Sequence, residues 1–291
     1  MAEYRIGISG WRYKPWRGVF YPKGLQQRRE LEYASHQMNS IEVNGTFYSL
    51  QRPSSFKQWY KETPDDFVFA IKGSRYLTHI KRLTDIRQPL ANFLASGVML
   101  LGKKLGPILW QFPPWWPYDH HKLTEFLALL PRTSSKAGEL ASEHNLTRKD
   151  WIWTEPIAKT KIRHAFEPRH PSFFVPDFIE LLRKHDAALV FADTAGKWPY
   201  YEDLTADFIY CRLHGAKELY SSGYTDQELD SWAARIQKWG VGKQPRDAKL
   251  LTDQTIGRGE SRDVYVYFDN DIKVHAPFDA INLAKKLSKT Q

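Results

Sequence analysis

Cysteine is almost missing. In 291 residues only Cys211 occurs, which excludes an internal disulfide and a multi-cysteine zinc site. No apolar run approaches the ~20 residues that a membrane-spanning helix needs, so no membrane span is expected. Acidic residues are outnumbered, 33 against 42 Lys and Arg, for a net charge of +9. That balance favours an anionic partner, but it also suits a soluble enzyme that never meets nucleic acid. Several catalytic signatures are absent. There is no Gly-x-x-x-x-Gly-Lys-Ser/Thr phosphate loop, no Gly-x-Ser-x-Gly nucleophile turn and no His-Glu-x-x-His metal motif. Gly257-Arg258-Gly259 is too short for a dinucleotide fingerprint. His120 and His121 are adjacent on an expected helix, so they do not share a face. Met1 leads directly into Tyr4-Arg5-Ile6-Gly7-Ile8, which reads as a strand and not as a signal sequence. The expectation is a soluble, cytoplasmic protein with no resident cofactor and no metal.

What the chain does have is aromatic and periodic. It carries 11 Trp, 15 Tyr and 16 Phe, within an ordinary globular balance of 42% hydrophobic and 26% charged residues. A chain of this length can bury roughly three-quarters of its extended surface. Eight apolar runs have strand length: Tyr4–Ser9, Ser40–Asn44, Phe67–Lys72, Pro107–Phe112, Arg163–Glu167, Ala188–Asp193, Phe208–His214 and Asp263–Asp269. Helical patterns lie between them at Leu25–Met38, Pro53–Glu62, Asp85–Leu101, His120–Leu130 and Phe174–His185. Asp226–Trp239 follows strand seven with a stripe of Leu229, Trp232, Ile236 and Trp239, and Pro277–Lys286 closes the chain. After strand six only a turn near Tyr200–Leu204 is expected. Eight strand-then-helix units predict an α/β fold, a TIM-type (β/α)8 barrel in a single domain over 1–291. Two polar stretches, about 132–161 and 240–262, exceed the count and are expected as peripheral insertions, the first with a helix at Lys136–Asn145.

Side-chain alternation puts polar residues at the carboxyl ends of the strands, the rim that carries the active site in barrel enzymes. Glu42 and Asn44 share a face, as do Glu167 with Arg169 and Arg212 with His214. Strand three ends in Lys72, four in Gln111, six in Asp193 and eight in Asp269-Asn270. Cys211 faces opposite to Arg212 and is expected to be inert core.

These strand-end phrases resemble the YecE-like family, a domain of unknown function. The likeness runs along nearly the whole chain. It rests on Gly10-Trp11-Arg12-Tyr13 with Phe20-Tyr21-Pro22, Ile41-Glu42-Val43-Asn44 with Thr46-Phe47-Tyr48, and Phe69-Ala70-Ile71-Lys72 with Thr78-His79. It continues through Gln111-Phe112-Pro113-Pro114, Phe166-Glu167-Pro168-Arg169-His170, Arg212-Leu213-His214-Gly215 and Tyr267-Phe268-Asp269-Asn270. The resemblance implies an eight-stranded α/β barrel and a rim site, but no reaction.

Two chemistries compete for that rim. Lys72, Arg169 and Arg212, with His79, His170 and His214 nearby, suit a phosphate or carboxylate, since arginine offers a planar two-pronged donor. The alternative is that Glu42, Glu167, Asp193 and Asp269 neutralise these cations internally. Paired carboxylates also suit acid–base work. Glu167 is the favoured reactive group, with Glu42, His214 and Asp269 as further catalytic candidates. Trp11, Tyr13, Asn44, Lys72, His79, Gln111, Arg169, Asp193, Arg212 and Asn270 are the expected substrate-binding set. Trp11 is expected to touch ligand, and Phe20 and Phe47 to pack. The leading functional expectation is a hydrolase-like barrel acting on a small polar or phosphorylated ligand, with nucleic acid as one bearer of the phosphate. The alternatives are a carbohydrate-processing barrel with a carboxylate pair, or a binding barrel without turnover.

Overall fold

The computed structural model describes residues 2–253 and 260–288. Its strands are β1 (Tyr4–Ser9), β2 (Ser40–Val43), β3 (Val68–Lys72), β4 (Leu105–Gln111), β5 (His164–Glu167), β6 (Ala188–Asp193), β7 (Phe208–Leu213) and β8 (Asp263–Phe268). They follow one another in chain order, β1 through β8, in a closed parallel barrel. The helices are α1 (Glu30–Ser35), α2 (Gly45–Tyr48), α3 (Pro53–Glu62), α4 (Arg87–Ala95), α5 (His120–Leu129), α6 (Ser134–Ala141), α7 (Pro176–Lys184), α8 (Asp226–Gly240) and α9 (His275–Ser288). The expected α/β barrel is therefore the observed fold. By contact the chain groups into two units, Met1–Ile41 with Pro171–Gln291, and Glu42–His170.

In the unit Glu42–His170, aromatic side chains fix which strand face meets helices. Phe69 of β3 lies 6.3 Å from Trp59 of α3. Trp110 of β4 packs 5.8 Å from Phe93 of α4 and 5.0 Å from Phe126 of α5. The Trp110 indole donates to His164 Nδ1 at 3.1 Å, and His164 Nε2 lies 2.8 Å from the Pro131 carbonyl, so this buried polar pair is satisfied. Burying each such ring contributes roughly 1.5–3 kcal/mol.

The expected helix Asp85–Leu101 divides. It runs as α4 to Ala95 and then as a 3-10 stretch, Val98–Lys104. Gly97 sits between them at φ +116, where a Cβ would come within 2.8 Å of Pro53 Cα. Only glycine makes that turn against that neighbour. Around 132–161, α6 buries Ala137, Leu140 and Ala141. Trp153 bridges to Ser96, and Lys57 Nζ sits 4.2 Å over the Trp153 ring.

In the other unit, Phe191 of β6 meets Trp239 of α8 at 5.0 Å. The stripe Leu229, Trp232, Ile236 and Trp239 is buried as its spacing predicts. Thr225 and Glu228 cap α8 reciprocally. Gly7 of β1 has no room for a side chain, because a Cβ would fall 1.8 Å from the Ser40 carbonyl. The expected helix Leu25–Met38 shrinks to a 3-10 turn, Gln27–Arg29, and the short α1. Arg29 leaves helical dihedrals at φ −100, ψ 1.

Tyr200–Leu204 forms no helical turn. Its buried Asp203 instead accepts from the backbone of Leu251 (2.8 Å) and Thr252 (3.0 Å) and from the Thr252 hydroxyl (2.8 Å). Glu202 accepts from Tyr200 and Arg235 at 2.6 and 2.7 Å. The segment before β8 is thus strapped down over part of its length. Gly257-Arg258-Gly259 lies outside the described residues. No barrel strand comes from 132–161 or from the described part of 240–262.

Candidate functional site

Register places three polar side chains on one face of β3, β4 and β5. Lys72 pairs with Leu109, and Gln111 pairs with Glu167. Phe69, Trp110 and Phe166 point to the helices, so alternation turns Lys72, Gln111 and Glu167 the other way. All three are nearly or fully buried. Arg169, two residues past Glu167, donates from Nε to its Oε1 at 2.8 Å. Lys72 Nζ stands 4.4 Å over the ring of buried Phe47. The Thr46 hydroxyl donates to the Lys72 carbonyl at 2.7 Å, which ties α2 to the end of β3. Glu42 is fully buried at the end of β2. Asn44 follows it and begins α2, and its Oδ1 is buried without a hydrogen-bond partner among the described residues.

His79 belongs to a π-helical turn, Tyr76–Ile80, just after β3. Its ring meets Phe47 edge-on at 5.1 Å, and Nδ1 lies 2.9 Å from the Thr78 hydroxyl. Burial, then Lys72, Arg75 and Arg169, push its pKa down to about 4, against an opposing pull from Glu167. His79 is therefore neutral at pH 7 and sits in a positive field. Trp115 and Tyr48 are exposed nearby in sequence to these groups, at 52% and 69%.

A second cluster forms at the ends of β7 and β8. Gly7, Tyr267, Arg212 and Ala192 are in register across β1, β8, β7 and β6. Arg212 and His214 are fully buried. Arg212 NH2 donates to Asp269 Oδ2 at 2.9 Å. His214 places Nε2 3.5 Å from Arg212 NH1 and Nδ1 3.1 Å from Asp269 Oδ2. Arginine only donates, so Nε2 is the acceptor in that contact, while Nδ1 lies close to the carboxylate without hydrogen-bond geometry.

Four further expected site residues are placed by their partners. Asp193 is in register with Leu213, not with Arg212. It accepts from the Tyr224 hydroxyl at 2.9 Å, and burial raises its pKa. Asp193 also lines a cavity of about 260 Å3 with Trp232 and Arg235 of α8. Asn270 is buried and bonded through Nδ2 to Asp279 (2.8 Å) and the Ser222 carbonyl (2.9 Å). Trp11 is buried, with its carbonyl taking the Tyr21 hydroxyl at 2.6 Å. Tyr13 is half-buried, stacks on Trp16 at 4.6 Å and donates to the Ser9 carbonyl at 2.5 Å. Phe20 and Phe47 are buried, as packing residues would be.

Two charged residues escaped the sequence reading. Arg75 lies three residues past Lys72 and adds to the field at His79. Asp271 lies two past Asp269. Burial first, then the Asp269 charge, push its carboxyl up to about 6, against an opposing pull from its own backbone amide and then from Tyr13. Their spacing was the available signal, since both continue a polar strand end into its loop. Among the described residues, no three His, Cys, Asp or Glu side chains converge to hold a metal ion. No described helix is long and apolar enough to cross a membrane.

Residues 5–291 match the model of a family described as protein of unknown function DUF72. The chain belongs to this DUF72 family. Among curated relatives, UPF0759 protein YunF of Bacillus subtilis is 27% identical over 152 residues, covering 50% of this chain and 51% of that one. UPF0759 protein YecE of Escherichia coli K12 is 29% identical over 127 residues, 43% of this chain and 44% of that one. The chain thus spans about half the length of the curated relatives it matches. The crystal structure of the DUF72 protein TM1631 from Thermotoga maritima superimposes with a TM-score of 0.73 at 24% identity, covering 98% of this chain and 99% of the other. That of the DUF72 protein EF0366 from Enterococcus faecalis gives 0.68 at 17% identity, covering 98% and 95%. At these identities the likeness speaks for the DUF72 fold alone.

Proposed function

We propose that this DUF72 protein binds a small ligand bearing a phosphate or carboxylate group at the carboxyl ends of β3 and β5, and hydrolyses it. One observation carries the reading. Burial first holds His79 neutral, and Lys72, Arg75 and Arg169, outweighing Glu167, push the same way. Such a field favours an anion, and arginine supplies the two-pronged donor that phosphate and carboxylate accept. The buried, unpartnered Oδ1 of Asn44 offers an acceptor for a ligand hydroxyl or amine. Glu167, bonded to Arg169, is the carboxylate that takes a proton from water, with Glu42 supporting it.

The test reads the His79 ring itself. An anion seated beside Lys72 and Arg169 cancels part of their charge, so His79 should titrate at higher pH. Imidazole NMR titrations with and without millimolar inorganic phosphate measure this directly. The upward shift should vanish in Lys72→Met. An unchanged His79 titration in phosphate, in a nucleotide and in a short single strand of DNA would remove the anion site. If a strand binds, affinity should fall steeply with salt as counterions are released. A sugar ligand would show little such dependence and would favour the carbohydrate-processing reading instead.

A further inference from the structure

The cavity of about 260 Å3 beside the end of β6 is lined by Asp193, Tyr200, Glu202, Ser231, Trp232 and Arg235. The last three belong to α8, and Tyr200 and Glu202 to the loop after β6. Drug-sized ligands fill roughly 300–1,000 Å3, so this space suits a short molecule. Its walls are aromatic as well as charged. Tyr200 and Trp232 meet edge-on with ring centroids 6.4 Å apart. Glu202 is buried and Asp193 is half-buried.

The polar groups on these walls are unequally served. Arg235, the cation among the lining residues, is shared by two carboxylates. Its NH1 lies 2.7 Å from Glu202 Oε2, and its NH2 reaches Asp247. The wall's hydroxyl protons are already placed. Tyr200 donates to Glu202 at 2.6 Å, and Ser231 donates to the Gln227 carbonyl at 3.0 Å. Both oxygens keep lone pairs to offer. Asp193 accepts from neutral donors, the Tyr224 hydroxyl at 2.9 Å and the Ala195 amide at 3.3 Å. A carboxylate has about four acceptor positions, so it can take further donors. Among the described residues no lysine or arginine acts on Asp193. His214 does, but that ring lies against Asp269, and Glu228 adds a like charge. A carboxylate in this state, beside an indole and a phenol ring, is complementary to a cation. The charge needs a counter-ion, and aromatic faces attract one.

We propose that this cavity binds a short primary alkylammonium, its charge paired with Asp193 and its alkyl chain along Trp232 and Tyr200. A primary amine suits the site better than a quaternary one, because the walls offer hydrogen-bond acceptors that only N–H groups use. The site lies wholly in the unit that contains β6 and α8. It takes no part in the hydrolysis proposed above, and it stands or falls apart from the anion site at His79.

The probe is n-butylammonium chloride, titrated into the full chain at constant ionic strength. The readout is the Trp232 indole N–H resonance, assigned by its loss in Trp232→Phe. It should shift saturably at millimolar concentrations. n-Butanol and butyrate carry the same chain without the cation, and each should bind at least about tenfold more weakly, the scale of a hydrogen bond to a charged group. Asp193→Asn removes the charge and keeps an acceptor for the Tyr224 hydroxyl. It should retain a cooperative thermal melt and bind n-butylammonium more weakly by a similar factor. Three results would each overturn the proposal: no saturable shift in the parent, n-butanol binding as tightly as n-butylammonium, or unchanged affinity in folded Asp193→Asn. The comparison with n-butanol and butyrate uses the parent protein, so it decides the matter where the variant does not fold.

Discussion

Arg212 and Asp269 form an ion pair at 2.9 Å in which the guanidinium is fully buried and the carboxylate is 15% exposed. The arginine is donor-only and always charged, so inside the barrel strand it depends on this partner. At this exposure Asp269 is mostly desolvated, so removing either partner leaves the other charge buried.

Arg212→Ala should lower stability by about 3 kcal/mol, the scale of breaking a buried pair from one side. Asp269→Asn should also destabilise, because it leaves the buried guanidinium with a weaker acceptor. The double variant should be less destabilised than the sum of the two, since the second change removes the stranded partner. Urea unfolding of the four proteins measures the coupling. Additive losses would mean that the two side chains do not depend on one another.

How far the sequence reached is visible at particular residues. Lys72, Gln111 and Glu167 were legible because β-strand alternation is rigid, and a two-residue period leaves each side chain one choice of face. Loops have no such period. Trp11 follows β1 by two residues, yet its burial depends on Tyr21, ten positions on, whose hydroxyl clamps the Trp11 carbonyl. Asp271 lies past the end of β8, and only the folded loop brings it within the influence of the Asp269 charge and of Tyr13. Asp193 shows the limit within a strand. It ends β6 as expected, but its register partner is Leu213, and pairing between strands is not written in either strand alone. The helix ends failed for local reasons. Gly97 stops α4 through a backbone turn that the apolar pattern around it conceals.

His164 gives a pH signature. It is fully buried, and its pKa is pushed down to about 3, first by burial and then by Arg132. An unfolded histidine titrates near 6.5. Below that pH the unfolded chain takes up a proton that the folded ring refuses, so this contribution is complete above about 6.5 and is lost as pH falls toward 3. Between those limits the slope from this one group approaches 1.4 kcal/mol per pH unit. His164→Gln keeps an acceptor for the Trp110 indole and does not titrate. Its unfolding free energy should therefore be lower at neutral pH and fall less steeply between about pH 6 and 4. Equal slopes in parent and variant would mean that His164 takes up its proton in the folded state as well.

Asp203 offers the last test, of the strap that precedes β8. Its two carboxylate oxygens take three hydrogen bonds from Leu251 and Thr252, and Arg183 adds a fourth contact by donating to the Thr252 hydroxyl at 2.9 Å. Each bond contributes about 1 kcal/mol net, more where the acceptor is charged. The strap closes onto Glu202–Leu204 and adds no strand to the barrel. Asp203→Ala should therefore release residues 244–253 before it unfolds the rest. Limited proteolysis should cut the variant within that stretch, at Lys249 or Arg246, many times faster than the parent. The near-ultraviolet spectrum and the main unfolding transition should change little. If cleavage instead spreads over β6 and β7, Asp203 is part of the barrel's own cooperative unit. If cleavage does not change at all, the strap is held by Arg235 and Asp247 without it.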